Sequence, residues 1–197
     1  MTGRKALVFG APPVWLPVLR DRIQEVGYAV EAIDGAALGS SADVEESLTA
    51  ALNPEAHLLL LGPELFPIPA EDAIRVGIRR SFVAMRLVLR NMMRQRFGRI
   101  ITVAPSLDIE LPHQALREGL AGLVKSVGRE VGTRGITANL VAPGHMEGEG
   151  RTVPTYNSIG RLATIEDVAG VVGFCAGSQS DYVTGQVLMV DGGLDTT

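Results

Sequence analysis

Short apolar runs alternate along this chain with longer segments in which apolar residues recur at helical spacing. Six of these runs have the length of buried strands, and they read ALVFG, YAVEAID, HLLLLG, RIITVA, ITANLVAP and VLMVDGG. Between them, helical spacing is clearest in the series Ile74, Ile78, Phe82, Met85, Val88 and Met92. Apolar strands separated by helices indicate a parallel sheet that is covered on both faces. Right-handed crossovers then predict an α/β fold with a single Rossmann-like, doubly wound sheet.

Further helices are predicted around residues 16–26, through residues 113–131 and from Ile165 to Ala176. The last begins with Thr164 and has Asp167 three residues on, a pattern close to a capping box. Residues 35–43 and 147–158 read as loops. We find no internal repeat or linker, so residues 1–197 are expected to form one domain.

Composition excludes several classes of function. The formal net charge is −4, so no overall field favours nucleic acid or an anionic membrane. One cysteine and three scattered histidines give no disulfide and no metal site. The first ten residues do not resemble a signal peptide, and no apolar run has the length of a membrane span. We therefore expect a cytoplasmic protein.

Three long stretches of the second half carry a family resemblance. They read GRIITVAPS, GLAGLVKSVGREVGTRGITANLVAPG and GRLATIEDVAGVVGFCAGSQSDYVTGQVLMVDGGL. In these stretches the chain resembles the short-chain dehydrogenase/reductase family, especially its beta-ketoacyl reductase branch. The resemblance implies that family's seven-stranded Rossmann variant, with one strand shortened or lacking near residues 35–43.

The cofactor motif of that family is altered here. Family members carry T-G-x-x-x-G-x-G after the first strand, because glycines let backbone N–H groups approach the cofactor pyrophosphate. The corresponding stretch is FGAPPVWLP, which keeps Gly10 but places Val14 and Leu16 at the other two glycine positions. The two prolines between them lack N–H donors, and the bulk of Val14, Trp15 and Leu16 opposes close approach. The resemblance therefore implies that this chain binds no NAD(P).

A second cofactor-facing motif differs as well. The family's N-N-A-G stretch, which follows its fourth strand, corresponds here to LGPE. Leu61 and Gly62 thus occupy the two amide positions, and Glu64 adds a carboxylate.

The catalytic positions are also altered. Family enzymes use an Asn, a Ser and a Tyr-x-x-x-Lys pair, in which the Tyr gives a proton to the carbonyl and the Lys holds the ribose. These four positions fall on Gly77, Pro105, His113 and Arg117. Ser106 follows the serine position, but adjacent residues of a strand point to opposite faces. The only tyrosines are Tyr28, Tyr156 and Tyr182, and none lies nearby in sequence.

Two alternative functions remain open. The first is an enzyme that uses His113 and Arg117, with Ser106 as a further candidate, because histidine can act as a general acid near neutral pH. Such an enzyme would be a divergent reductase or a cofactor-independent lyase or dehalogenase. The second alternative is a module that binds an acyl-thioester or another small ligand in the vacated cleft.

His145 and Tyr156 lie in or beside the loop that forms the family's substrate lid, and Gly148 lies near the position of its nicotinamide-contacting Thr.

The segments that retain the family pattern have a different role in the family. The helix through residues 113–131 pairs with the long preceding helix in a four-helix dimer interface, and the last helix and strand form a second interface. Gly119, Gly122 and Ser126 put little bulk on one helix face. These segments either keep an assembly surface or only pack the core of the monomer.

The leading hypothesis is therefore a catalytically inactive subunit. The chain would join an active paralogue of this family in a heterodimer or heterotetramer and stabilise it. The resemblance implies that the complex would oxidise or reduce a 3-hydroxyacyl or 3-oxoacyl thioester of CoA or acyl carrier protein. The NAD(P) would be bound by the partner subunit.

Overall fold

The computed structural model describes residues 3–33, 55–63, 70–106, 111–150, 152–153 and 157–194. Strands and helices alternate in it, as predicted. The strands are β1 (Arg4–Phe9), β2 (Tyr28–Ile33), β3 (Leu58–Leu61), β4 (Gly98–Val103), β5 (Ile136–Pro143) and β6 (Val187–Val190). The α-helices are α1 (Leu16–Glu25), α2 (Ala70–Gln95), α3 (Leu111–Val131) and α4 (Ile165–Ala176).

The described strands form one sheet in the order β2-β1-β3-β4-β5-β6, and every neighbouring pair is parallel. This confirms the predicted α/β class and the Rossmann-like, doubly wound arrangement. The loop at residues 35–43, where a strand was expected to be shortened, lies outside the described residues, as do Glu64 and Tyr156.

The sheet is buried on both faces because helices cover both. Alternate residues of β4 show this, since Ile100 belongs to one apolar cluster and Ile101 to the other. Helices α2 and α3 cover the first face, and α1 and α4 cover the second. The four leucines of β3 are fully buried, as expected of a central parallel strand.

Helix α4 begins with the predicted capping box. The backbone N–H of Asp167 donates to Oγ1 of Thr164, and the N–H of Thr164 donates to Oδ2 of Asp167 at 2.8 Å. Arg161 adds two hydrogen bonds to the same carboxylate, at 2.6 and 2.8 Å. This box fixes where the helix starts and holds the preceding loop against it.

Helices α2 and α3 pack against each other at Gly119. A Cβ atom there would lie 3.2 Å from Cγ1 of Ile78, so the glycine allows close approach within the chain. Gly122 and Ser126 lie on the exposed side of α3, and nothing comes within 4 Å of a Cβ at Gly122. The three small residues therefore do not act together, because Gly119 is used in the core of the monomer.

A charged and aromatic cluster lies at the amino end of β4. Arg99 is 3% exposed and pairs with Asp181, which lies beyond α4. Its guanidinium and that of Arg4 both contact the ring of Phe97, at 4.6 and 3.8 Å from the ring centre. The Tyr28 hydroxyl donates to the Ala176 carbonyl at 3.1 Å. These contacts tie the end of α4 to the sheet.

Candidate functional site

The order of the strands locates the crevice where this class of sheet binds ligands. The chain runs from β1 to β2 on one side and then to β3 on the other, so the crevice lies at the carboxyl ends of β1 and β3. There the N–H of Gly62 donates to the Phe9 carbonyl at 2.7 Å. A Cβ at Gly62 would lie 2.7 Å from Cα of Ala11, so this position requires glycine. Leu61 is fully buried beside it.

Several backbone donors of the turn between β1 and α1 are used within the chain. Gly10 has a φ of 67°, and its N–H donates to Ile33 at 3.1 Å. The Pro12 carbonyl accepts from both Trp15 and Leu16, at 2.8 and 3.0 Å. These are N–H groups at the start of α1, where an anion would otherwise bind.

Prolines remove further donors from the same turn. Pro12, Pro13 and Pro17 have no N–H, and no side chain caps the helix at Trp15. A diphosphate at this helix start would therefore meet few available hydrogen-bond donors.

The bulky side chains of the turn do not all point the same way. Val14 is 78% exposed, whereas Leu16 lines a cavity of about 300 Å³ together with Pro13 and Ala11. Val8 of β1, the end of β2 and Arg20 also line this cavity. The lack of donors is thus a more direct obstacle to a pyrophosphate than the bulk of Val14.

The four positions that the sequence predicts to correspond to the family's catalytic residues lie towards the carboxyl edge of the sheet. Gly77 is buried near the start of α2, and Pro105 is half-buried just after β4. His113 is half-buried in the first turn of α3, and Arg117 follows one turn later with 8% exposure. The fold therefore brings these positions to the end where a reaction would take place.

Arg117 extends towards the edge of the sheet. Its Nη2 lies 2.9 Å from Sδ of Met189 on strand β6. Strand β6 is three positions from β3, which corresponds to about 14 Å at the usual strand spacing. The guanidinium thus lies over the β6 side of the sheet rather than at the β1–β3 crevice.

Ser106 has a partner that the sequence did not reveal. Its hydroxyl donates to Oε1 of Glu149 at 2.7 Å, which links the end of β4 to the loop after β5. Glu149 lies 43 residues away in sequence, so no local pattern could have shown this contact.

Of the three residues predicted in or near the substrate lid, the structure describes His145 and Gly148. His145 is half-buried, and its carbonyl accepts from the N–H of Ala163 at 2.9 Å. Gly148 is exposed with a φ of 83°.

Comparison with known proteins assigns the chain to a family. The family model described as enoyl-(acyl carrier protein) reductase matches residues 70–195. The chain belongs to the short-chain dehydrogenase/reductase family.

Within this family the chain is similar to 3-oxoacyl-(acyl-carrier-protein) reductases. It is 33% identical to that of Rickettsia felis over 138 residues, which are 63% of this chain and 57% of the relative. It is 34% identical to those of Salmonella typhimurium and Escherichia coli over 137 residues, which are 62% of this chain and 56% of each relative. The matched part thus spans little more than half the length of these relatives.

The tyrosines that the structure describes lie away from the family's catalytic positions. The Tyr28 hydroxyl binds the carbonyl at the end of α4, and burial raises its pKa above the usual value. Tyr182 is fully exposed beyond α4. Neither can therefore replace the family's proton-donating tyrosine near His113.

A second cavity of about 310 Å³ lies beside β6. Met189 and Asp191 line it, together with Arg161, Asp167 and Ile159 from the segment before α4. Both of these carboxylates have hydrogen-bond partners, since Asp167 accepts from Arg161 and Asp191 accepts from the N–H of Gly193.

Two further observations concern only the described part of the chain. It contains no group of three or more His, Cys, Asp or Glu side chains that could hold a metal ion. None of its helices is both long and apolar enough to cross a membrane.

Proposed function

We propose that this chain is a catalytically inactive subunit that associates with an active short-chain dehydrogenase/reductase. The complex would act on 3-hydroxyacyl or 3-oxoacyl thioesters of CoA or acyl carrier protein and use NAD(P) bound by the active subunit. This chain would stabilise its partner and bind no cofactor itself.

The hydrogen bonding of Pro12 carries this proposal. Its carbonyl accepts from the N–H groups of Trp15 and Leu16, which would otherwise be available to a pyrophosphate. Pro12, Pro13 and Pro17 contribute no N–H of their own. The residues of this turn do not fit the diphosphate of a nicotinamide dinucleotide.

The catalytic positions support the same proposal. Pro105 has no hydroxyl to hold a substrate carbonyl, and Gly77 has no side chain to hold a water. Arg117 lies against Met189, so it is poorly placed to hold a nicotinamide ribose at the crevice. Hydride transfer needs the cofactor and the proton donor at one carbonyl, and at the predicted positions this chain has neither the glycine-rich turn nor the tyrosine–lysine pair.

Relatives give the substrate class. Those reported above are named as reductases of 3-oxoacyl groups on acyl carrier protein. We propose this substrate class for the complex and not for the chain alone.

Calorimetric titration of NADH and NADPH tests the proposal directly. The isolated chain is expected to bind neither, while the E. coli reductase in the same buffer serves as the positive control. The chain is then co-expressed with an active paralogue from its own source, and the purified complex is titrated. One dinucleotide per pair of subunits supports the proposal. Micromolar binding by the isolated chain, or failure of the two proteins to co-purify, contradicts it.

The cavity beside α1 favours a second function, the binding of a small ligand. Among the described residues of its wall most are apolar, and Arg20 is the one that carries a charge. That composition suits an acyl chain whose anionic end reaches the arginine. Thermal unfolding with acyl-CoA esters of increasing length tests this, because only a ligand that binds the folded chain raises the midpoint. Arg20→Glu should abolish any shift, and Arg22→Glu on the same helix should not.

A further inference from the structure

Strand β6 carries a methionine whose side chain is exposed and whose sulfur contacts a cation. Met189 is 39% exposed and lines the cavity of about 310 Å³ beside β6. Its Sδ lies 2.9 Å from Nη2 of Arg117, which belongs to helix α3 and is itself buried. The proposed function requires only that Arg117 is turned away from the crevice, so it gives the sulfur no role.

The other methionines that the structure describes differ from Met189. Met85, Met92 and Met146 are at most 2% exposed, so an oxidant in solution does not reach them in the folded chain. Met93 on α2 is 38% exposed, which matches Met189, but among the described residues its sulfur has no polar contact. Met93 is therefore an internal reference for the effect of a guanidinium at equal exposure.

A peroxide converts a methionine thioether to the sulfoxide by transferring one oxygen atom. A lone pair of the sulfur forms the new S–O bond while the O–O bond of hydrogen peroxide breaks. The departing oxygen takes the proton of the transferred oxygen and leaves as water. Sulfur gives up two electrons and the peroxide accepts them. Negative charge therefore develops on the departing oxygen, and the sulfoxide oxygen keeps a large partial negative charge.

The guanidinium of Arg117 interacts more strongly with these oxygens than with the thioether. A thioether sulfur is a weak hydrogen-bond acceptor, so the contact in the reduced chain contributes little. A hydrogen bond between a cation and a negatively charged oxygen is much stronger. An interaction that strengthens on the way to the transition state accelerates the reaction. Arginine stays protonated, so it acts as a fixed donor and not as a source of the proton.

We propose that Met189 is a reversible oxidation site for peroxides and that Arg117 binds the sulfoxide oxygen. The cavity beside β6 gives the oxidant room, because one water molecule occupies only about 30 Å³ of the liquid. Oxidation replaces a weak contact between α3 and β6 by a charge-assisted hydrogen bond, and sulfoxide reductases reverse it. The site depends on neither a cofactor nor a partner subunit.

Oxidation rates of single methionines provide the first test. The full chain is treated with hydrogen peroxide at pH 7 for increasing times and analysed by peptide mass spectrometry. One donor to a developing oxyanion contributes about 100-fold or more in a closed enzyme site, so Met189 is expected to oxidise about tenfold faster than Met93 at this partly exposed one. In urea, where Arg117 is no longer held at the sulfur, the two rates should be equal.

Substitution of Arg117 assigns the difference to the guanidinium. Arg117→Leu should bring the ratio of the two rates close to one. Arg117→Lys keeps a cation and should retain part of the difference. Circular dichroism shows whether each variant is folded.

The configuration of the sulfoxide gives a test that needs no variant. Oxidation makes the sulfur chiral, and the guanidinium approaches Met189 from the α3 side, so one epimer is favoured. The oxidised wild type is digested, and its peptides are treated with two reductases that each accept one epimer. One enzyme is expected to reduce nearly all of the Met189 sulfoxide and the other almost none, whereas both should reduce similar amounts at Met93.

Three results would overturn the inference. They are a rate for Met189 in the folded chain that does not exceed that of Met93, an unchanged ratio in a folded Arg117→Leu variant, and equal amounts of the two epimers at Met189. If Arg117→Leu does not fold, the rates and epimers of the wild type decide. None of these results alters the NADH and NADPH titration, so the inactive-subunit proposal stands or falls separately.

Discussion

The guanidinium of Arg117 lies against the sulfur of Met189, with 2.9 Å between Nη2 and Sδ. The sequence predicts that Arg117 corresponds to the family's catalytic lysine, and its side chain reaches a strand at the edge of the sheet. The contact joins helix α3 to strand β6. This contact leads to the first prediction.

Restoring the family's catalytic pair should not restore activity. The double substitution His113→Tyr/Arg117→Lys supplies the missing tyrosine and lysine, but the turn at Pro12 still offers few donors to a dinucleotide. We expect no oxidation of NADPH above the blank with acetoacetyl-CoA, measured by absorbance, while the E. coli reductase is active in the same assay. Turnover by this variant would contradict the cofactor argument. Turnover by the wild type that His113→Ala abolishes would establish the alternative of an active enzyme.

The buried Arg99 should make the fold depend on Asp181. Asp181→Asn removes the carboxylate partner of a guanidinium that is almost completely buried. We expect the free energy of unfolding to fall by about 1–2 kcal/mol, as measured by urea denaturation. Asp21→Asn, an exposed change on α1, is the matched control and should have little effect. Equal stability of both variants would show that Phe97 and the local carbonyl suffice to hold Arg99.

The capping box should make stability depend on pH through Asp167. Hydrogen bonds from Arg161, and then from the backbone of Thr164, hold the pKa of this carboxyl well below its usual value. A group with a lowered folded-state pKa stabilises the fold above its unfolded-state pKa of ~3.9 and loses that contribution as the pH falls. Asp167→Asn should therefore lower the free energy of unfolding by about 1 kcal/mol at pH 7.

The same difference should shrink between about pH 4 and pH 2. Urea unfolding of both proteins across this range measures it. Glu166→Gln, an exposed neighbour in the same helical turn, should give a much smaller difference at every pH. A difference for Asp167→Asn that stays constant down to pH 2 would refute the assignment.

Cys175 should be unreactive in the folded chain. It is fully buried, and burial raises the pKa of its thiol to about 11. Since the thiolate is the reactive form, labelling with a disulfide reagent at pH 8 should be far slower than in urea. The ratio of the two rates, followed by absorbance, measures the protection. Rapid stoichiometric labelling of the native protein would show that the α4 face opens readily.

The spacing of apolar residues predicted most of the fold because it is a local property of the chain. Helix α4 was predicted at Ile165–Ala176 and is found there, since Thr164 and Asp167 fix its start. The six strands were also recognisable, because each is a short apolar run. The contact of Ser106 with Glu149 was missed, since it joins two loops far apart in sequence.

The small residues of α3 show the limit of such patterns. Spacing alone suggested that Gly119, Gly122 and Ser126 form one face for a partner. In the folded chain Gly119 faces Ile78 of α2, and the other two face outwards. A small side chain permits close approach, but the sequence does not say to what.

The sequence by itself determined the parallel sheet with helices on both faces and the residues predicted for the family's motif positions. It also determined that three prolines near the start of α1 lack N–H groups. Only the tertiary structure decided that the Pro12 carbonyl takes up two of the remaining donors and that Arg117 extends to Met189. The reason is physical, because apolar spacing encodes which residues are buried, whereas the partner of a polar group depends on which distant segments the finished fold brings within about 3 Å.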